Sequence, residues 1–143
     1  MEQTVSVSGL RRSFGSVTAL DGVDLSVDGG EMFALVGPDG AGKTTLLRIL
    51  AAVLAQEEGA VTVLGHQLPR EKRSLKPKIG YLSQGFSLYG DLSIDENLAF
   101  FAEIYGVTEY QERRNELLSF TRLDPFRDRL AGRLSGGMKK KLA

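Results

Sequence analysis

Five apolar residues, Met32 to Val36, run straight into Gly37-Pro38-Asp39-Gly40-Ala41-Gly42-Lys43-Thr44, and from Thr45 onward leucines recur at spacings of three and four. This order predicts a strand, a glycine-rich turn and a helix. The turn matches G-x-x-x-x-G-K-[ST], in which backbone N–H groups wrap phosphate oxygens and the helix N-terminus adds its positive dipole end. Gly40 and Gly42 remove side chains where the backbone must approach closely. Lys43 reaches the β- and γ-phosphates as a point charge, and the Thr44 hydroxyl is placed to meet Mg²⁺. Pro38, Asp39, Ala41 and Thr45 complete the stretch that would line the phosphates. These residues predict a nucleoside triphosphate ligand.

With 143 residues, 42% of them hydrophobic, the chain has the length of one domain and enough apolar material for a sizeable core. Lysine plus arginine equals aspartate plus glutamate at 18 each, so no global field draws the chain to nucleic acid or an anionic membrane. Nucleic acid is therefore not an expected partner. There is no cysteine, which excludes disulfides and cysteine-ligated metal sites and fits a reducing compartment. Charges interrupt every apolar stretch well before 18 residues, the length of a spanning helix. The opening Met1-Glu2-Gln3-Thr4 lacks the blocks of a signal peptide. A soluble globular chain is expected, and any membrane role would run through a partner.

Alternating apolar and polar residues predict strands at Thr4 to Ser8 and Val23 to Val27, and the wholly apolar Met32 to Val36 predicts a buried one. Thr45 to Ala55 carries the apolar stripe of a helix, with Leu46, Leu47, Leu50, Val53 and Leu54. Val61 to Leu64 and Ile79 to Leu82 read as further strands, separated by a polar segment, His66 to Lys78, that reads as a solvated loop or short helix. From Asp91 onward the pattern is helical. Ser93 with Glu96 forms a capping box, and Gly106 stands at the expected C′ position of that helix. Thr108 with Gln111 repeats the device for a second helix, and Asp124-Pro125 places an N-cap and an N1 proline before a third.

Leu134-Ser135-Gly136-Gly137-Met138-Lys139 resembles the LSGGQ signature of ABC-type ATPases. Taken alone, it also fits a serine N-cap of a surface helix, itself an anion site. Its place after the phosphate loop, after Gln84 and after a run of helices matches the family's order over nearly the whole chain. Tyr81-Leu82-Ser83-Gln84 is similar to the family's Q-loop, which implies that the Gln84 amide touches Mg²⁺ or the attacking water. Phe14, in Leu10-Arg11-Arg12-Ser13-Phe14-Gly15, stands where the family's A-loop carries an adenine-stacking aromatic; a satellite core contact is the alternative. Gly37-Pro38-Asp39-Gly40 together with Leu134 to Lys139 resembles the ATP-binding subunits of ABC-2 type exporters, including multidrug exporters.

The resemblance implies an α/β P-loop NTPase fold, with a partial RecA-like core, an N-terminal β subdomain and a helical subdomain. It divides the chain into residues 1–90, β subdomain plus phosphate-loop core, and residues 91–143, the helical subdomain ending in the signature. It implies ATP and Mg²⁺ as ligands, a second nucleotide-binding domain as a head-to-tail partner, and a transmembrane permease. Location would be the cytoplasmic face of the membrane, held there through the permease. In such a dimer Ser135, Gly136 and Gly137 of one copy close over the γ-phosphate held by Lys43 of the other. Asp39 replaces the more usual asparagine and Met138 the more usual glutamine, so a carboxylate stands near the phosphates and an amide is lost from the signature. No Asp-Glu pair follows an apolar strand anywhere in the chain, so the family's Walker B carboxylates are missing; its switch histidine is missing too, and a fragment that binds Mg²⁺-ATP without hydrolysing it is expected. A soluble ABC-type ATPase unconnected to transport, or a non-catalytic nucleotide-binding module, would carry the same motifs.

Overall fold

The computed structural model describes residues 3–83, 85 and 87–143. The chain divides into two compact units, Met1–Tyr81 and Leu82–Ala143.

The first unit is built on an antiparallel sheet. β1 (Gln3–Phe14) and β2 (Val17–Asp28) form a long hairpin, and β3 (Glu58–Val63) and β4 (His66–Leu68) follow. The strand order is β2-β1-β3-β4. Each sequential pairing is antiparallel, with Val7 opposite both Leu25 and Val61. α1 (Lys43–Leu50) and the short α2 (Lys72–Leu75) complete the unit. Val7, Leu10, Leu20, Leu46, Ile49, Val61, Val63, Leu68 and Leu75 form one buried cluster drawn from all four strands and both helices. Fully burying side chains such as Leu10 and Ile49, neither with any exposed surface, contributes about 1.5–3 kcal/mol apiece.

The hairpin is longer than the alternating segments predict, because the two strands stay paired from Gln3 opposite Asp28 to Phe14 opposite Val17 through several register irregularities, at one of which the Gly9 N–H donates to the Asp24 carboxylate at 2.8 Å. α1 is shorter than predicted. It closes at Leu50 in a Schellman turn: Ala52 takes a left-handed conformation (φ 55°), its N–H donates to the Ile49 carbonyl, and the Val53 N–H donates to that of Arg48. The polar segment after β3 contains strand β4 as well as α2 and a following 3₁₀ turn, Lys76–Lys78.

Neither residues 32–36 nor residues 79–82 form a strand, contrary to the sequence reading. A strand exists only against a neighbour, and among the described residues the backbone of 32–36 has no hydrogen-bond partner. Met32 and Val36 are almost wholly exposed, at 99% and 95%.

The second unit is helical: α3 (Ile94–Ile104), α4 (Gln111–Thr121) and α5 (Gly136–Leu142) surround Ile94, Leu118, Leu123, Ala131 and Leu134. The predicted capping box is present. Ser93 N–H donates to the Glu96 carboxylate at 2.7 Å and Glu96 N–H donates to Ser93 Oγ at 3.2 Å. The bond from the Ser93 backbone, then that from its hydroxyl, holds the Glu96 carboxyl below its ordinary range. Gly106 has φ 66° and closes α3, as read.

Two caps differ from expectation. α4 starts at Gln111 with Tyr110 before it and no side-chain cap, since a capping box needs its glutamine at the third helical position and Gln111 is at the first. Asp124-Pro125 opens only a 3₁₀ turn, Asp124–Phe126, and the Asp124 carboxylate accepts from the Arg127 guanidinium instead of capping a helix.

Asn97, 1% exposed, pins the chain before α3. Its Nδ2 donates to the carbonyls of Tyr89, Leu92 and Ser93, and its Oδ1 accepts from the Tyr89 N–H. The same stretch bonds to the residues leading into α5: Ala131 N–H to the Leu92 carbonyl at 2.8 Å and Gly132 N–H to that of Gly90 at 2.9 Å.

Asn97→Ala leaves the Tyr89 N–H without an acceptor, so stability should fall by about 1–3 kcal/mol, measured as a lower urea midpoint. The open apolar segment at 32–36 predicts concentration-dependent association in light scattering, and the double variant Met32→Lys, Val36→Lys should reduce it.

Candidate functional site

The phosphate loop is shaped by its glycines. Gly40 and Gly42 take φ of 81° and 83°, a region costly for residues with a side chain. Ala41 N–H donates to the Pro38 carbonyl at 3.3 Å, closing the turn. Gly42 is the N-cap of α1 and provides no side-chain cap; the first α1 turn closes with Leu46 N–H on the Gly42 carbonyl at 2.9 Å. Among the described residues no acceptor is found for the N–H groups of Lys43, Thr44 and Thr45. An uncapped helix start preceded by two left-handed glycines presents N–H donors and a positive dipole end together. That donor set fits a phosphate group.

Lys43 arches over the loop, its Nζ donating to the carbonyls of Gly37 at 2.6 Å and Pro38 at 2.5 Å. An ammonium has three donors, so one remains for a ligand. Thr44 and Thr45 are half-buried on the first turn, and Asp39 is exposed on the loop among its exposed neighbours Gly37, Pro38 and Gly40.

The loop is tied to the hairpin at one point. A Cβ on Gly42 would lie 2.3 Å from the carbonyl oxygen of Ala19 and 2.9 Å from Leu20 Cδ2. Phe14 sits at the end of β1 before the turn into that same strand, paired with Val17. It is 48% exposed, and the Arg12 guanidinium lies over its ring, 5.0 Å from the centroid. Phe14 is outside the buried cluster, which argues against a core role.

Ser135, Gly136 and Gly137 lie in the second unit, all exposed. Ser135 is the N-cap of α5 and its Oγ accepts from the Met138 N–H at 3.3 Å. Met138 packs its side chain against the helical core. Gln84 lies outside the described residues. Arg12 and its partner Glu57 were not among the sequence-derived site residues, although the spacing of Arg12 and Phe14 along a strand puts both on one face.

Residues 20–143 match the family model for the ABC transporter. The chain belongs to the ABC transporter family. Over 99% of its length it is 41% identical to the probable multidrug ABC transporter ATP-binding protein YbhF of Escherichia coli, of which it spans 25%. It is 36% identical to the Nod factor export ATP-binding protein I of Paraburkholderia xenovorans, spanning 47% of it. It is also 37% identical to the sulfate/thiosulfate import ATP-binding protein CysA of Methylococcus capsulatus, spanning 42%. The chain thus spans about a quarter to a half of the length of these relatives. A solved ATP-binding subunit of an ABC transporter superposes with a TM-score of 0.85 at 30% identity, covering 97% of this chain and 59% of that one. The fold is accordingly the α/β P-loop NTPase fold of ABC ATPases. Among the described residues no helix is long and apolar enough to cross a membrane.

Gly40→Ala and Gly42→Ala should separate backbone strain from collision. A Cβ at position 40 meets nothing within 4 Å, so Gly40→Ala should cost only the left-handed penalty of about 1–2 kcal/mol. Gly42→Ala should add the clash with Ala19 and lower the melting temperature further than Gly40→Ala does.

Proposed function

We propose that this chain is the nucleotide-binding part of an ATP-binding subunit that couples ATP binding and hydrolysis to export through a membrane permease. The observation that carries the reading is the uncapped start of α1 behind Gly40 and Gly42, with Lys43 bridging the loop. The multidrug and Nod factor relatives favour export over the import role named for CysA. Residues 1–90 would supply the β subdomain and phosphate loop, and residues 91–143 the helical subdomain, on the cytoplasmic face of the membrane against the permease.

The residues divide the work as follows. Amides of the loop and of Lys43, Thr44 and Thr45 receive phosphate oxygens, and Lys43 exchanges its carbonyl acceptors for them. Thr44 and Gln84 would hold Mg²⁺, which when bound neutralises charge on the β- and γ-phosphates. Phe14 stacks on adenine with its exposed face. Ser135 and the amides at Gly136 and Gly137 meet the γ-phosphate of a second, head-to-tail copy. Gln84 orients the attacking water.

A second reading, a nucleotide-binding module without hydrolysis, is favoured for the 143-residue chain by one observation: no Asp-Glu pair follows an apolar strand in it. The carboxylate that would activate water in phosphoryl transfer is then not supplied by these 143 residues.

Mg²⁺-ATP at a hundredfold over Kd should stabilise the chain by about 2.7 kcal/mol, visible as a melting shift. Lys43→Ala removes charge-assisted bonds worth about 1.5–3 kcal/mol, so affinity should fall roughly tenfold to over a hundredfold. Phosphate release should stay at background. Steady turnover lost in Lys43→Ala would overturn the non-hydrolysing reading, and an absent melting shift would overturn the nucleotide site itself.

A further inference from the structure

Arg12 has no place in the phosphate loop, yet it is the only group whose cation is shown over the ring of Phe14 among the described residues. Its side chain is only 22% exposed, and Nη1 stands 3.6 Å from Glu57 Oε1. The other oxygen of Glu57 accepts from the Ser13 N–H at 2.8 Å, and the Glu57 N–H donates to the Arg11 carbonyl at 3.2 Å. Glu57 therefore grips three consecutive residues of β1 immediately before Phe14. Arg12 Nε is buried and has no acceptor among the described residues, so the guanidinium is placed by Glu57 and the aromatic face, not by a full set of hydrogen bonds.

The guanidinium occupies one face of the Phe14 ring while 48% of the residue's surface stays open, so a base would stack on the opposite face. The cation is held by the ring quadrupole, and it draws π density toward itself. The open face is thereby left poorer in electrons, which favours stacking of an electron-rich purine. Phenylalanine lacks the hydroxyl with which a tyrosine would anchor its ring, so orientation must come from a neighbour.

From this geometry we infer that Arg12, clamped by Glu57, is a positioning residue that orients and polarises Phe14 for stacking on the base of the bound nucleotide. The inference rests on the reading of Phe14 as the adenine platform. Arg12 lies over the ring and outside the phosphate loop, so its effect must depend on there being a base in the ligand and an aromatic at position 14.

The test is calorimetric titration of the 143-residue chain with Mg²⁺-ATP and with inorganic tripolyphosphate, which has no base. Variants are Arg12→Ala, Arg12→Met, Arg12→Lys, Phe14→Ala and the double variant Arg12→Ala, Phe14→Ala. Arg12→Met keeps the apolar stem and guards against misfolding. Arg12→Ala and Arg12→Met should weaken ATP about two- to fivefold, the range of a cation–π contact at a partly exposed site, and leave tripolyphosphate unchanged. Arg12→Lys should recover most of the loss, and in the Phe14→Ala background Arg12→Ala should have no further effect. If Phe14→Ala selectively weakens ATP while the Arg12 variants do nothing, weaken both ligands equally, or add their full effect to Phe14→Ala, the role of Arg12 is overturned and the adenine platform stands. If Phe14→Ala weakens both ligands equally, the platform fails and Arg12's role falls with it.

Discussion

Residue 42 must satisfy two demands at once, and only glycine meets both. Its φ of 83° is left-handed, and the space where a Cβ would sit is already taken by the Ala19 carbonyl oxygen, 2.3 Å away. Because this residue is the N-cap of α1, the contact with β2 fixes where the helix begins and therefore where its free N–H groups point. Leu46 and Ile49 then enter the same buried cluster as Leu20, so packing secures what the close approach sets. The phosphate loop is anchored from its downstream side, by α1 and the hairpin. Its upstream side, residues 32–36, makes no backbone hydrogen bond among the described residues and touches the core through Leu35.

Part of the loop's remaining freedom is taken up inside it. Lys43 spans the turn to the carbonyls of Gly37 and Pro38, so its ammonium is held across the loop by the loop's own backbone. Holding a flexible lysine side chain beforehand reduces the entropy that binding would otherwise cost. The same economy of parts recurs at the end of β1, where Glu57 serves both a backbone N–H and a guanidinium, and the guanidinium covers a ring. Both devices sit in the first unit, one at each end of the chain that runs from Phe14 through β2 to α1.

Short-range chemistry was readable from residues alone. The loop glycines, the reciprocal Ser93 and Glu96 bonds and the closure of α3 at Gly106 depend on neighbours within a few positions, and all are present as read. What failed depended on partners or on backbone choices that composition does not mark. An apolar run such as 32–36 has the pattern of a strand but becomes one only when another strand pairs with it. The end of α1 carries no sequence signal because its left-handed residue is Ala52, where a glycine would mark a stop. Thr108 and Asp124 are good capping residues in the wrong register, and register is set by where packing starts the helix. Arg12 was invisible as a site residue because its partner Glu57 is distant in sequence.

The signature shows how a departure from a family pattern is absorbed. Met138 stands where glutamine is more usual, and its side chain packs against the buried helical cluster, so the position is partly a core position in this chain. A methionine fits there because it is unbranched and apolar, whereas an amide would have to find partners or reach solvent. The backbone of the same residue still donates to Ser135 Oγ, so the serine keeps its capping geometry without help from the residue 138 side chain. Ser135 and the two glycines remain exposed because Leu134 is buried directly before them and the preceding turn is bonded to residues 90–95. Asn97 pins the start of that stretch from inside, through four hydrogen bonds to residues 89–93. The position of the signature serine is thus set by main-chain bonds and a buried asparagine, not by the side chain in which this sequence differs.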